Sequence, residues 1–266
     1  MAKMITAERR NRIAEHIIAN GSIKAGELAR TFGVSTETIR KDLIYLDREG
    51  IVKKSHGGAL SALEFAERPL EDRTAEGSAE KAAIAEYAMR FIRENTVIFL
   101  DAGSTCTSLA RLLYLKKGLT IFTTSLSVAN VLISSENKLH MSGGTLNPIT
   151  MALEGFAATG FLRQIHVDIA FLGTSGFQDC NGPTSIDFTD ADVKRAILER
   201  ARTKIVLAHS AKTQASALVE YTKWKNIHHL ITDSNIRFED KKRLSDQVDI
   251  IEVPPLHNAD CAEHIE

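Results

Sequence analysis

The sequence predicts an α/β protein made of two domains, an N-terminal winged helix-turn-helix and a C-terminal domain built on a mostly parallel sheet. Three amphipathic helical segments fill the first 50 residues, and strand and helix segments alternate from about residue 79 onward. The length of 266 residues suits two ordinary domains. The predicted boundaries are 1–60 for the first domain, 61–78 for a linker, 79–255 for the second domain and 256–266 for a tail.

Composition narrows the class of protein. Apolar residues make up 44% and charged residues 25% of the chain, as in ordinary globular domains. No segment reaches the roughly 18–20 apolar residues of a membrane span, and the N-terminus lacks a secretory apolar core, so we expect a cytoplasmic protein without membrane association. Cys106, Cys180 and Cys261 are too few and too far apart for a disulfide framework or a metal cluster, so neither a metal nor a cofactor is expected.

The net charge of −1 hides an uneven distribution of charge. Up to Gly58 the chain has 11 Lys and Arg against 7 Asp and Glu, whereas the remainder has 22 against 27. A basic first domain joined to a mildly acidic second domain is compatible with nucleic-acid binding by the first domain alone.

The first domain contains three predicted helices whose apolar residues recur every three or four positions. Gly21 and Gly33 are suited to end the first two helices, and Ser35 is a good N-cap for the third. The short GVS turn between the second and third helices indicates a helix-turn-helix, whose second helix can enter the major groove of DNA. The predicted inward residues are Ile13, Ile17 and Ile18 in the first helix, Leu28, Ala29 and Phe32 in the second, and Ile39, Leu43 and Leu46 in the third.

The outward face of the third helix follows by exclusion. With the apolar residues buried, Thr36, Glu37, Arg40, Lys41 and Ile44 lie on the outer arc. Arg40 is the candidate for a guanine contact, because its guanidinium group can make two hydrogen bonds to O6 and N7, and Lys41 suits a phosphate. The alternative is an amphipathic three-helix unit with a solvated charged face.

The segment GIVKKSHGGAL, which follows the third helix, predicts a wing. Residues 51–52 suit a short strand, Lys53 and Lys54 its charged end, and the glycines at 57–58 a tight turn. Glycines let the backbone approach a phosphate chain closely, and the lysines supply hydrogen-bond donors. His56 either joins this phosphate contact or is simply a turn residue.

The stretch ELARTFGVSTETIRKDLIYLDREGIVKKSHGGAL resembles the DNA-binding region of DeoR-type bacterial repressors. Those proteins combine a VSxxTIRxDLxxLxxxG recognition helix with a wing that ends in HGGA. This chain departs mildly, with Lys41 where a second arginine is common and Ser55 at a position that varies. The predicted contacts to a double-stranded DNA operator are Ser35, Thr36, Glu37, Thr38, Arg40, Lys41, Lys53, Lys54, His56 and Gly57.

Four small, hydroxyl-rich loops follow predicted strands in the second domain, at residues 101–108, 123–125, 142–145 and 173–176. Ligands of parallel sheets bind beyond the carboxyl ends of the strands. Backbone N–H groups and hydroxyls at such ends can hold an anion, most often a phosphate. Each loop alone also fits ordinary turn and cap chemistry, but together they predict one shared site.

The resemblance extends to about residue 235 through LDAGST, TTS, SGG, DIAFLGTSG, DVKRAIL and SAK, which are similar to DeoR-type effector domains. It implies a fold similar to ribose-5-phosphate isomerase and a phosphorylated sugar or sugar-acid effector. Thr124 replaces the usual asparagine and His209 the usual aspartate, so His209 either hydrogen-bonds the ligand or is satisfied by backbone. The predicted effector contacts are Asp101, Gly103, Ser104, Thr105, Thr124, Ser125, Gly143, Gly144, Gly173, Lys194, His209 and Lys212.

A competing interpretation makes the second domain a sugar-phosphate isomerase with a DNA-binding appendage. Isomerisation needs a base, commonly a carboxylate. The isomerases carry an acidic DGADE-like stretch where this chain has LGTSGF, which leaves Asp101 and Asp187 as candidate bases, and we therefore expect no enzyme. Cys106 is either a reactive thiol near a helix start or a small buried one. An aromatic content of 6% gives no support to an RNA-binding module.

The sequence therefore predicts a sequence-specific DNA-binding regulator of a carbohydrate or sugar-acid catabolic operon, with repression as the default. A homo-oligomer, either a dimer or a tetramer, places recognition helices on two half-sites and multiplies their affinity. A phosphorylated metabolite in the second domain then controls DNA binding through its different affinities for two arrangements of the protein.

Overall fold

The computed structural model describes residues 6–20, 22–48, 52–55, 58–61 and 70–254. The chain divides into two compact units, a first unit, Met1–Glu67, and a second unit, Arg68–Glu266. Some predicted features lie outside the described residues, namely Gly21, Ile51, His56, Gly57, Cys261 and the tail at 256–266.

The first unit combines three helices with a small antiparallel sheet in the order β1-β3-β2. The sheet pairs β1 with β3 and β3 with β2. This arrangement is a winged helix-turn-helix. Its elements are α1 (Thr6–Asn20), β1 (Ser22–Lys24), α2 (Ala25–Phe32), α3 (Thr36–Arg48), β2 (Val52–Ser55) and β3 (Gly58–Ser61).

The turn between α2 and α3 forms as the sequence predicts. Gly33 has φ 63° and ends α2, with its N–H directed at the carbonyls of Ala29 and Arg30. Such a left-handed conformation favours glycine. The Ser35 hydroxyl accepts a hydrogen bond from the Thr38 N–H at 3.2 Å and so caps α3. The short strand β1 was not predicted, because three residues carry no detectable alternation.

The second unit is a seven-stranded parallel sheet in the order β14-β13-β11-β9-β4-β5-β6, with helices on both faces. The sheet strands are β4 (Val97–Leu100), β5 (Thr120–Thr123), β6 (Lys138–Met141), β9 (Val167–Leu172), β11 (Ala201–Leu207), β13 (His229–Asp233) and β14 (Asp249–Val253). The helices are α4 (Leu70–Ala75), α5 (Ser78–Ala88), α6 (Ser104–Leu113), α7 (Leu126–Leu132), α8 (Phe156–Leu162), α9 (Phe188–Leu198) and α10 (Phe238–Leu244).

Alternate residues of the central strands enter two separate cores. Phe99 packs in one core with residues of α8 and α9, whereas its neighbours Ile98 and Leu100 pack in the other with α5, α6 and α7. All three side chains are fully buried. A strand covered on both faces has a continuous apolar sequence, which explains why VIFL and IAFL were recognisable as strands.

Two parts of the second unit differ from the sequence-based expectation. Within the segment 61–78, which the sequence predicts to be a linker, the structure has α4 in the second unit and Ser61 in β3 of the first unit. Two short antiparallel pairs were not predicted, namely β7 (Thr145–Asn147) with β8 (Ala152–Glu154), and β10 (Thr184–Ser185) with β12 (Val219–Glu220). Helices and strands of two to six residues are too short for periodicity to reveal.

Candidate functional site

The predicted recognition helix α3 exposes the residues that the sequence placed on its outer arc. Ile39, Leu43 and Leu46 are at most 1% exposed and form the core of the first unit with α1 and α2. The side chains of Arg40 and Glu37 form an ion pair at 3.7 Å, and both are more than half exposed. Such an exposed pair contributes little to stability, so Arg40 remains free to exchange Glu37 for another partner. The outer arc of Thr36, Glu37, Arg40, Lys41 and Ile44 is exposed as predicted.

A buried ion-pair cluster holds α3 against α1. Asp42 is 1% exposed and accepts hydrogen bonds from the Nε atoms of Arg9, at 2.7 Å, and Arg10, at 2.9 Å. The Arg10 guanidinium also lies 3.9 Å from the ring centroid of Tyr45. This cluster was not predicted, since a lone aspartate in a helix normally faces solvent. It removes one acidic side chain from the outer face of α3.

The wing is the β2–β3 hairpin. Ser55 pairs with Gly58, so two residues, His56 and Gly57, connect the strands, and both lie outside the described residues. Lys53 and Lys54 lie within β2, where the sequence placed them at the strand's charged end. The positions of their side chains are likewise outside what the structure describes.

The four predicted loops of the second unit lie side by side. They follow β4, β5, β6 and β9, which are neighbours in the order β9-β4-β5-β6, so their carboxyl ends form one continuous edge. Hydrogen bonds join adjacent loops, since Asp101 accepts from the Gly173 N–H at 2.8 Å and Thr123 accepts from the Ser142 N–H at 3.1 Å. From β4, the next strands β5 and β6 extend the sheet to one side, whereas β9 and the later strands extend it to the other. Such a change in strand order, here between β4 and β9, is where α/β sheets open a crevice for a ligand.

Asp101 and Lys194 contact each other in this structure. The Lys194 ammonium donates to Asp101 at 2.7 Å and to Asp190 at 2.9 Å, and Ser185 donates to Asp190. Although burial opposes it, the two carboxylates raise the pKa of Lys194 well above its usual value. Burial raises the pKa of Asp101. Asp101 therefore links Lys194 to the loop at Gly173, because it accepts a hydrogen bond from each of them. Asp190 and Ser185, which were not predicted, complete the cluster.

The Ser125 and Gly144 positions have structural roles at the site. The Ser125 hydroxyl accepts from the Val128 N–H at 3.2 Å and so caps α7, which is the ordinary cap chemistry that the sequence left open. A Cβ added at Gly144 would lie 2.5 Å from the Glu154 carbonyl oxygen, so the β7–β8 hairpin requires glycine there. Gly143 has open space around it. The buried Ser142 hydroxyl has no hydrogen-bond partner among the described residues.

Two lysines, Lys81 and Lys212, lie near His209 at the carboxyl end of β11. Burial, together with Lys212 and Lys81, lowers the pKa of His209 from 6.5 to about 4, so its imidazole is neutral at pH 7. Burial and Lys212 likewise lower the pKa of Lys81 to about 8. Lys81 is 2% exposed and was not predicted as a functional residue, because one lysine in an alanine-rich helix is an ordinary feature of sequence.

Cys106 is a buried thiol at the first turn of α6. It is fully buried, its Sγ lies 3.7 Å from the Phe171 carbonyl oxygen, and burial raises the pKa of the thiol. A thiol in this environment stays protonated and unreactive. Among the described residues, no group of three His, Cys, Asp or Glu side chains is placed to hold a metal ion, and no helix is long and apolar enough to cross a membrane.

Both units match known sequence families. The DeoR-like helix-turn-helix domain matches residues 9–64, and the DeoR C-terminal sensor domain matches residues 76–234. This chain belongs to the DeoR family. The resemblance seen in the recognition helix and the strand-end loops is thereby confirmed. As a DeoR-family protein, the chain is a DNA-binding transcriptional regulator and not an enzyme.

Curated relatives of this DeoR-family chain span nearly its whole length. It is 31% identical over 219 residues to the HTH-type transcriptional regulator IolR of Bacillus subtilis, covering 82% of this chain and 87% of IolR. It is 30% identical over 232 residues to the glycerol-3-phosphate regulon repressor of Escherichia coli K12, covering 87% of this chain and 92% of that repressor.

A solved structure resembles the DeoR-family chain more weakly. Ribose 5-phosphate isomerase A from Neisseria gonorrhoeae is 16% identical with a TM-score of 0.38, covering 53% of this chain and 55% of the isomerase. That similarity is too weak to transfer any property of the isomerase. The observed parallel sheet, with helices on both faces, agrees with the predicted fold class.

Proposed function

We propose that this DeoR-family regulator represses a carbohydrate or sugar-acid catabolic operon and is released by a phosphorylated metabolite. The α3 helix and the β2–β3 wing bind the operator. The metabolite binds at the carboxyl edge of the seven-stranded sheet. The regulator acts in the cytoplasm as a homo-oligomer, a dimer or a tetramer, so that two recognition helices reach two half-sites.

The chemistry of α3 and the wing supports DNA binding through two kinds of contact. Arg40, on the exposed face of α3, reads a base edge in the major groove, and Lys41 beside it holds a phosphate. Ser35, Thr36, Glu37 and Thr38 lie at the helix start, where hydroxyls and N–H groups suit the phosphate backbone. The wing residues Lys53, Lys54, His56 and Gly57 hold the backbone at a second place.

The clustering of the strand-end loops is the observation that carries the effector proposal. Backbone N–H groups at the start of α6, at Gly103, Ser104 and Thr105, lie at the same edge as the buried Ser142 hydroxyl, which has no hydrogen-bond partner within the described part of the chain. Oriented N–H groups and hydroxyls of this kind bind phosphate. The remaining predicted contacts, Thr124, Ser125, Gly143, Gly144, Gly173, His209 and Lys212, line or support the same edge, while Asp101 and Lys194 hold it in shape.

The glycerol-3-phosphate regulon repressor of Escherichia coli, a relative at 30% identity, is named for a phosphorylated three-carbon compound. That name agrees with a small phosphorylated effector. The wider choice between sugar phosphates and sugar-acid phosphates is open to a direct screen.

A thermal-shift screen against phosphorylated sugars and sugar acids tests the proposal. A ligand that binds only the folded state raises its stability, by about 2.7 kcal/mol at a hundredfold excess over Kd. We expect one phosphorylated compound to raise the melting temperature and to release the protein from its operator in a gel-shift assay. Thr105→Glu places a carboxylate in the proposed phosphate position and should abolish both effects while DNA binding persists. Thr189→Glu, at an exposed position of α9, is the matched control.

Continued response of the Thr105→Glu variant to the same compound would place the effector elsewhere. If no phosphorylated compound raises the melting temperature, the effector belongs to another chemical class.

A further inference from the structure

Lys81 is a nearly fully buried lysine whose ammonium group binds backbone of α4 and of the turn that follows it. It lies in the first turn of α5 and is 2% exposed. Its Nζ donates hydrogen bonds to the carbonyl oxygens of Arg73, in α4, and Glu76, in the turn. The ammonium group therefore holds the end of α4 to the start of α5. Since α4 begins at Leu70, it is the first described element of the second unit.

The same turn contacts the carboxyl end of β11. Gly77 has φ 60°, and a Cβ at this position would lie 3.5 Å from Cδ2 of His209. His209 precedes a short 3-10 helix at Ser210–Gln214 that contains Lys212. The turn that Lys81 holds thus rests on the strand end where the effector site is proposed.

Charged side chains of both signs surround Lys81. Lys212 and Arg73 repel the ammonium group, Glu76 and Glu80 attract it, and Asp233 interacts electrostatically with His209. Burial is the largest effect and lowers the pKa of Lys81 to about 8. The two hydrogen bonds of the ammonium go to neutral carbonyl oxygens. A hydrogen bond from an ammonium to an ionised oxygen is roughly twice as strong, so a phosphate within reach would compete with them.

We propose that Lys81 is a positioning residue that couples the effector site to α4. An anionic group bound at the carboxyl end of β11 attracts the Lys81 ammonium away from the carbonyl oxygens of Arg73 and Glu76. The end of α4 then loses its attachment to α5. This inference rests on the proposed function, since it requires an anionic effector at that edge.

Hydrogen–deuterium exchange of the full-length protein tests the coupling. The probe is inorganic phosphate at a concentration sufficient to occupy the carboxyl end of β11 as well as the start of α6, and chloride at equal ionic strength is the reference. In the wild type we expect phosphate to raise amide exchange over residues 70–77 by about tenfold or more, because two hydrogen bonds from a charged donor are lost. The strands β4 and β9, at the centre of the sheet, should keep their protection and so report that the fold is intact.

Three variants separate the coupling from a structural role. Lys81→Met removes the charge at similar length and should raise exchange of 70–77 without phosphate, with no further change when phosphate is added. Lys81→Arg restores the charge and should recover at least part of the phosphate response. Lys116→Met, at an exposed lysine of the same unit, should behave as the wild type.

Two outcomes would overturn the inference in distinguishable ways. If phosphate raises the melting temperature of the wild type while exchange of 70–77 stays constant, or if Lys81→Met still responds, the coupling is wrong and the effector site stands. If neither phosphate nor any phosphorylated sugar stabilises the protein, the proposed function fails and the coupling fails with it.

Discussion

We propose that individual side chains of α3 have separable roles and that Arg40 is the one that reads the base sequence. Replacing Arg40 by alanine should cost about 1–3 kcal/mol of binding to the preferred operator and relax the preference at one base pair. Arg30→Ala, at an exposed arginine of α2, is the matched control. Fluorescence anisotropy with duplexes selected from a randomised pool measures both quantities. Unchanged operator affinity of the Arg40→Ala variant would show that α3 is oriented differently on DNA.

Lys53 illustrates the other class of contact. Lys53→Ala should weaken binding to all duplexes by a similar factor and reduce the slope of log K against log salt by about 1, because one phosphate contact is lost. Anisotropy titrations at several salt concentrations give the slope. A loss confined to the preferred operator would contradict a phosphate role.

Lys194, a predicted effector contact, also forms two buried ion pairs. Because it neutralises Asp101 and Asp190 inside the protein, Lys194→Met should leave two buried carboxylates unpaired and reduce the free energy of unfolding by about 3–5 kcal/mol. Urea unfolding followed by circular dichroism measures this, with Lys242→Met, an exposed lysine of α10, as control. Equal stability of the two variants would mean that the cluster contributes no net stabilisation.

At the scale of elements, the adjacent glycines Gly143 and Gly144, at the start of the β7–β8 hairpin, look equivalent in sequence but have different surroundings. Gly144 lies against the backbone of Glu154 with φ 137°, whereas Gly143 has open space around it. Gly144→Ala should therefore destabilise the protein by about 1–3 kcal/mol through backbone strain, and Gly143→Ala should be close to neutral. Thermal unfolding of the two variants checks this directly. Similar melting temperatures would show that the hairpin can move to accept a side chain.

His209 gives the carboxyl end of β11 a pH dependence. Its pKa is about 4 in the folded state and about 6.5 when exposed, so the unfolded state takes up the proton first as pH falls. Protonation of His209 in the unfolded state therefore lowers the free energy of unfolding. This loss is absent above pH 6.5, grows as pH falls and is complete near pH 4, where it amounts to about 3 kcal/mol at 1.4 kcal/mol per pKa unit. His209→Asn should lose this part of the acid sensitivity, and His140→Asn, at an exposed position of β6, should keep it. Urea unfolding at pH 7 and pH 4.5 measures the difference.

The elements that could be predicted from sequence are those with a clear apolar pattern along the chain or with strong capping residues. Ser35 and Gly33 mark the ends of helices because their side-chain and backbone preferences are local. The buried strands β4 and β9 are recognisable as apolar runs. By contrast, β1, α4 and the β7–β8 hairpin are short, and their stability comes from contacts with distant segments, which a local pattern does not contain.

At the scale of the whole molecule, the four hydroxyl-rich loops follow adjacent strands of one sheet edge, but the partners of their side chains could not be predicted from sequence. The neighbours of Asp101 are Lys194 and Gly173, which are 93 and 72 residues away in the chain. Lys81 could not be predicted for the same reason, since its burial and its hydrogen bonds to Arg73 and Glu76 depend on how the second unit packs. The positions of the strand-end loops could be predicted from their local motifs, whereas contacts that depend on long-range packing could not.

An oligomer is the whole-molecule prediction that follows from a two-half-site operator. Light scattering coupled to size-exclusion chromatography should give a mass at least twice the 29.3 kDa of one chain. A monomeric mass at micromolar concentration, with operator binding retained, would show that a single recognition helix and wing suffice.

Asp42 has a consequence for how the first unit meets its target. Since Arg9 and Arg10 of α1 form ion pairs with this carboxylate, rotation of α3 about its own axis is restricted in the free protein. The outer arc of α3 is thus already oriented in the free protein. We therefore expect the rate of association with DNA to depend on diffusional encounter and on deformation of the DNA, with little conformational change in the first unit.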